Sequence, residues 1–279
     1  MFDLHMHTCY SDGVYKPDEL VSRLKKENIN LFSITDHNHS LPYEDYSFND
    51  IKYIKGTEIA TSFEDVIIEV LGYKVDDKII NNWYRDFFSK DNLKINEQML
   101  FDDLLKISKK NGYKIQDSLN LEKIQKGVSK KTIFYYLQEN YSDFPFKTYK
   151  DFFRKGLSNK TSEWFLNEGR TYPSLGEVIQ LIHEADGLAV LAHPYEYGFD
   201  KLDNLFNTVK NFNINGIECF HPSASMYNSV ELSKFCVENN LIGSGGSDFH
   251  SDKRLVPLGV HINEELFKLK CFDWIKELL

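Results

Sequence analysis

Cysteine is scarce in this sequence and never paired. Cys9, Cys219, Cys236 and Cys271 offer no C-x-x-C spacing and no disulfide framework, so a reduced, cytoplasmic setting is expected. Apolar runs long enough to cross a bilayer are missing. Asp3 and His5 interrupt any apolar segment at the start, and no signal peptide is expected there. Internal repeats and low-complexity stretches are absent as well. Positive charge is in deficit, with 33 Lys+Arg against 42 Asp+Glu and a net charge of −9. That balance argues against stable binding of duplex nucleic acid across a uniformly basic surface.

What the chain does contain is core material: 42% hydrophobic and 14% aromatic residues in 279 positions. This is enough for one large α/β domain carrying an insertion, and it excludes disorder. Charge is unevenly placed. Residues 77–170 hold 18 Lys+Arg and 13 Asp+Glu, while the remainder holds 15 and 29. An acidic body with a basic middle suits a metal-binding domain whose inserted segment meets an anionic substrate; solvated lysine-rich helices account for it equally well.

Short apolar runs alternate with helical patterns, as in β/α units. Strands are expected near Phe2–Leu4, Leu31–Thr35, Tyr53–Thr57, Val66–Tyr73, Leu188–Ala192, Gly216–Cys219 and Ile242–Gly245. A first helix opens at Pro17, with Asp18 and Glu19 in its positive first turn. Another opens after Ser174, where Ser174 and Glu177 have capping-box spacing. The stretch 77–170 breaks the rhythm and reads as a helical insertion, a possible substrate cap, between barrel segments 1–76 and 171–279. The fold expected is a distorted (β/α)7 barrel with that helical insertion domain.

The polar residues fall on this map with a pattern. His5 and His7 follow the first strand, Asp36 and His37 the second, and Glu58 the third, while Glu69 lies in the fourth. His193 follows the fifth, Glu218 and His221 the sixth, and Asp248 and His250 the seventh. Strand ends of one polarity are where barrel enzymes assemble active sites. In an extended chain residues two apart face the same way, so His5 and His7 can share one ion, and Asp12, on a turn ended by Gly13, can bridge to a neighbour. Nitrogen and oxygen donors favour manganese, iron or zinc. They are too many for one ion, so two or three divalent ions sharing carboxylates are implied.

In order, these motifs read D-L-H-x-H-T-x-x-S-D-G, I-T-D-H-N, G-T-E-I, L-A-H-P, G-I-E-x-x-H-P and G-S-D-F-H. The set resembles the polymerase and histidinol phosphatase (PHP) family over both barrel segments. Within it the chain looks most like stand-alone bacterial phosphoesterases that hydrolyse nucleoside 3′,5′-bisphosphates and short 5′-phosphorylated oligonucleotides. The resemblance implies a seven-stranded barrel with up to three metals. His5, His7, Glu58 and Asp248 would hold one ion; Asp12, His37 and His250 another; and Glu58, His193 and the strand-four position a third. Relatives carry histidine at that position, where this chain has Glu69. They also carry an Arg-Pro-His stretch in the insertion, where this chain reads Gly127-Val128-Ser129-Lys130-Lys131. Lys130, Lys131 and Arg170 are the candidates for phosphate contact.

The reaction expected is hydrolysis of a small, nucleotide-like phosphomonoester by a hydroxide bridging the ions. Asp36 is expected to orient a neighbouring histidine, and His221 to touch the leaving group or phosphate, with packing against Pro222 an equal alternative. Ser11 and Ser247 lack a separate His-Asp pair, so no covalent nucleophile is expected. Histidinol phosphate is an alternative substrate, and a non-catalytic metal-binding module is an alternative of another class. An amidohydrolase would need a metal-bridging lysine in strand four, and Val66–Val70 contains none.

Overall fold

The computed structural model describes residues 1–64, 66–197, 206, 211–253 and 255–279. The chain divides into two compact units, Met1–Tyr84 with Tyr172–Leu279, and Arg85–Thr171.

The first unit is built on two sheets. β1 (Phe2–Asp3), β2 (Leu31–Phe32) and β3 (Lys52–Tyr53) form a short parallel sheet. β4 (Gly56–Phe63), β5 (Val66–Tyr73), β6 (Leu188–Leu191), β7 (Gly216–Phe220) and β8 (Ile242–Gly245) form the second. β5 lies antiparallel to both β4 and β6, while β6, β7 and β8 run parallel. Isolated bridges of Met6 with Phe249 and His37 with Glu58 join the two sheets. The mixed α/β class expected for a distorted (β/α)7 barrel is present: among the described residues, eight strands form two bridged sheets. The missed strand is most of β4. Ile59–Phe63 continues the run expected to stop at Thr57, pairing with β5 from Gly56↔Tyr73 to Phe63↔Val66. Glu64, with φ 46°, supplies the left-handed residue of the tight connection.

Helix α1 (Pro17–Lys26) starts at its proline and buries Leu20, Val21 and Leu24. α2 (Pro42–Asp45) is a single turn, and α3 (Asp77–Phe87) runs through the division between the units. In the second unit α4 (Lys90–Lys110) and α5 (Val128–Asn140) pack Leu100, Phe101 and Leu104 against Ile133, Phe134 and Leu137. The short α6 (Tyr149–Asp151) leads into a wider-wound turn, Phe152–Leu157, whose Phe152 completes that core. Back in the first unit, α7 (Leu175–Glu184) is capped by Ser174, and the Glu177 side chain returns to the Ser174 amide at 2.7 Å. α8 (Met226–Glu238) covers β7 and β8. The main core joins the second sheet to α7 through residues such as Ile68, Val70, Ile179, Ile182 and Val190. None of the described helices is long and apolar enough to cross a membrane.

Candidate metal centre

The polar ends of the strands converge in the first unit. His5 Nε2 lies 3.2 Å from Glu58 Oε1 and 3.5 Å from Asp248 Oδ1. His7 Nε2 lies 3.3 Å from Glu58 Oε2 and 3.1 Å from Asp248 Oδ1. His250 Nε2 and His37 Nε2 approach Asp12 Oδ1 at 3.1 and 3.5 Å. The second nitrogen of His37 is 3.1 Å from Glu58 Oε2 and 3.4 Å from Glu69 Oε1. His193 Nε2 meets Glu58 Oε1 at 2.8 Å and Glu69 Oε2 at 3.4 Å. All nine candidate ligands are thus brought together. Ligands about 2.1 Å from a tetrahedral ion stand about 3.4 Å apart, which is the spacing seen here.

Among the described residues, three overlapping groups present ligand atoms within 4.8 Å of one another: His7, Asp12, His37 and His250; His5, His7 and Glu58; and His37, Glu58 and Glu69. His7 and His37 each serve two groups, where one apiece was expected. Glu69 reaches the centre from the first half of β5 because that strand runs against β4, pairing Glu69 with Ala60.

Several atoms at the centre are buried with no hydrogen-bond partner: His5 Nε2, both nitrogens of His7, Glu58 Oε2 and His193 Nδ1. Unmade bonds at buried polar atoms cost about 1–3 kcal/mol each, and coordination to a cation would satisfy them. The donor set therefore fits divalent ions. Two tautomers are fixed accordingly. His5 Nδ1 donates to Glu218 Oε1 at 3.0 Å, and His250 Nδ1 donates to the Asp248 carbonyl at 2.8 Å. In each neutral ring the lone pair is left on Nε2, facing the cluster.

The electrostatics belong to a site awaiting positive charge. Burial opposes ionisation of Glu58, yet the surrounding His5, His193 and His37 rings hold it well below the usual carboxylate range. Burial likewise opposes the imidazolium of His37 and His193; the Glu58 and Glu69 carboxylates nevertheless push them up to about 9 and about 11. For His7 burial prevails and its pKa falls.

Close approaches of the backbone explain two glycines. A Cβ on Gly246 would sit 2.1 Å from His5 Cβ, and one on Gly13 would sit 2.3 Å from the His7 carbonyl oxygen. Asp248 itself takes a left-handed backbone, φ 50°, and its amide donates to the His5 carbonyl at 2.8 Å. Such a conformation is uncommon outside glycine but tolerated by aspartate.

The remaining candidates divide. Asp36 does not orient a histidine by hydrogen bonding. It accepts from the Thr8 amide at 2.7 Å, from Thr8 Oγ1 at 2.5 Å and from Ser11 Oγ, holding the turn that carries Asp12. The orienting role falls to Glu218, which the sequence had placed at a strand end without assigning it. Besides His5, Glu218 accepts the His193 amide at 2.8 Å. His221 Nε2 lies 3.6 Å from Asp248 Oδ2. In the second unit Lys130 Nζ pairs with Glu168 at 2.6 Å and Arg170 with Asp103 at 2.7 Å, while Lys131 is exposed on α5. Lys130 and Arg170 are thus neutralised locally. His39 bonds the Tyr10 carbonyl and His183 bonds Asn215, both structural contacts.

The PHP domain family model matches residues 3–219. A 5'-3' exoribonuclease of Haemophilus influenzae is 25% identical over 269 residues, covering 94% of each chain. Among solved structures, a metal-dependent phosphoesterase of Bifidobacterium adolescentis superposes with TM-score 0.64 at 21% identity, over 99% of this chain and 94% of that one. A protein of Chromobacterium violaceum described as an amidohydrolase gives TM-score 0.64 at 19% identity, over 94% and 92%. The chain belongs to the PHP domain family and is a hydrolase of its metal-dependent phosphoesterase class.

Proposed function

We propose that this enzyme hydrolyses small nucleotide-like phosphomonoesters, including nucleoside bisphosphates or short 5′-phosphorylated oligonucleotides, in the cytoplasm. The observation carrying the reading is the convergence of nine nitrogen and oxygen ligands, several of whose buried atoms lack other partners. The exoribonuclease name of a relative covering nearly the whole chain supports the nucleotide. Two or three manganese, iron or zinc ions held by these residues would supply Lewis acidity and a nucleophile at neutral pH.

The chain's own groups do the rest. Four carboxylates (Asp12, Glu58, Glu69 and Asp248) give the cluster its negative charge, so an anionic substrate binds only to the loaded site. Glu218 holds His5 and the His193 backbone at fixed angles, and Asp36 holds the Asp12 turn. Such preorganisation keeps reorganisation low when phosphate charge develops. His221 stands at the edge of the cluster to donate to a phosphate or leaving-group oxygen.

Metal analysis of the purified protein, coupled to phosphate release from nucleoside bisphosphates, monophosphates, phosphorylated oligonucleotides and histidinol phosphate, tests it. Turnover favouring the nucleotides is expected. A preference for histidinol phosphate would overturn the substrate class; lack of both bound metal and phosphatase activity after manganese addition would overturn the whole reading.

A further inference from the structure

A cleft of about 440 Å³ opens between the turn after β7 and the segment 255–260. Phe220, Met226, Leu255, Pro257 and Val260 form apolar walls, and His221 forms the end nearest the metal centre. No Asp, Glu, Lys or Arg is among the described lining residues. Its volume lies in the range of small-molecule sites.

His221 ties the cleft to the cluster. It is only 7% exposed. The Ser223 amide donates to its Nδ1 at 3.1 Å, so that nitrogen is an acceptor and the proton of the neutral ring sits on Nε2. That N–H has no hydrogen-bond partner and stands 3.6 Å from Asp248 Oδ2. A buried donor is therefore presented, unused, where an oxygen of a phosphoester held by the cluster would lie. At the opposite side of the cleft the design is reversed. Leu255 is 99% exposed and Met226 59% exposed, large apolar side chains kept in water at a rim where they add nothing to the core.

An unsatisfied donor at the inner end and unused apolar surface at the outer end describe a ligand with a polar head and a flat, uncharged, apolar-faced body. A second phosphate would find no Lys or Arg among the described walls, only the imidazoles of His221 and His261, and a bare sugar would leave the apolar rim unburied. We propose that the cleft receives the nucleobase of the substrate, with Met226 and Leu255 closing on its faces and the His221 N–H bonding an oxygen of the phosphoester. This rests on the phosphoesterase reading above and names the residues that select the organic part of the substrate.

Leu255→Asp and Met226→Asp change exposed side chains, so the fold is expected to stand. Manganese-loaded wild type and both variants are assayed on adenosine 5′-monophosphate and on ribose 5-phosphate, with kcat and KM separated. Each variant is expected to lower the ratio of kcat/KM for the nucleotide over the base-free ester at least tenfold, mostly through KM. A ratio unchanged in both variants overturns the assignment. Binding of adenosine, which carries no phosphate, is followed separately by amide shifts of the wild-type protein. Shifts at Phe220, His221 and Val260 support the cleft even if no phosphomonoester is hydrolysed, an outcome that would sink the phosphoesterase reading alone. Adenosine that shifts none of them overturns the cleft.

Discussion

Replacing Glu218 by glutamine tests the centre without touching a proposed metal ligand. The carboxylate takes two hydrogen bonds with different oxygens: His5 Nδ1–H at 3.0 Å on Oε1, and the His193 amide at 2.8 Å on Oε2. Glutamine offers one oxygen and one NH2. If the oxygen stays with the His193 amide, the NH2 meets His5 Nδ1 and the ring must move its proton to Nε2. That atom then faces Glu58 and Asp248 as an N–H instead of a lone pair. If the oxygen turns to His5, the buried His193 amide faces an NH2 and loses its partner, at about 1–3 kcal/mol. Either way the loss falls on His5 or His193, both candidate ligands. Partners of this kind are worth about 10–100-fold in metal affinity, which is about 1.4–2.8 kcal/mol. Manganese titration of metal-free Glu218→Gln and wild type by calorimetry, at one pH, measures it. The chain should still fold, since amide and carboxylate have nearly equal volume. An affinity within threefold of wild type at every site would refute the claim that Glu218 sets the His5 tautomer.

Other consequences can be checked together. Because His37 and His193 are raised to about 9 and about 11, metal must displace their protons. Apparent manganese affinity should therefore tighten about tenfold per pH unit for each proton expelled between pH 7 and 8.5, with matching proton release in calorimetry; a flat profile contradicts this. The sign for stability is opposite. A raised histidine stabilises the metal-free fold below about 6.5 and loses that contribution as pH climbs through its folded value, so metal-free Tm should fall from pH 7 to 9 while the manganese-loaded Tm holds. Gly246→Ala would place its methyl carbon 2.1 Å from His5 Cβ, and overpacking of this kind typically costs about 1–3 kcal/mol; denaturant unfolding with an unchanged midpoint would contradict the close approach. In the second unit the buried Glu97 accepts the Gly127 and Ser129 amides at the start of α5. Glu97→Ala should cost about 1–3 kcal/mol by leaving those donors unmet, read as a lower Tm.

The candidate ligands could be picked out in the sequence, and their supports could not, for one physical reason. Histidines and carboxylates that recur at strand ends stand out as candidate ligands, so His5, His7, Asp12, His37, Glu58, His193, Asp248 and His250 mark themselves by type and position. A supporting residue is defined by what it touches across the fold. Glu218 is 213 residues from His5, and nothing local distinguishes it from Asp36, whose hydrogen bonds go to the Thr8–Ser11 turn. The same limit explains the sheet. β4 reads as an apolar run that ends at Thr57, because Glu58 and Ala60 carry little strand signal; only the eight-residue register with β5 extends it. Reversing β5 is what brings Glu69 to His37 and His193. The candidate position at which the resemblance implies histidine is thus held by a strand whose direction the sequence did not reveal. That exchange leaves two carboxylates, Glu58 and Glu69, facing His37 and His193. Oxygen-rich sites favour manganese over softer ions. This corner of the centre should therefore exchange its metal more readily than the histidine-rich group around His7, and Glu69→His should reverse the order.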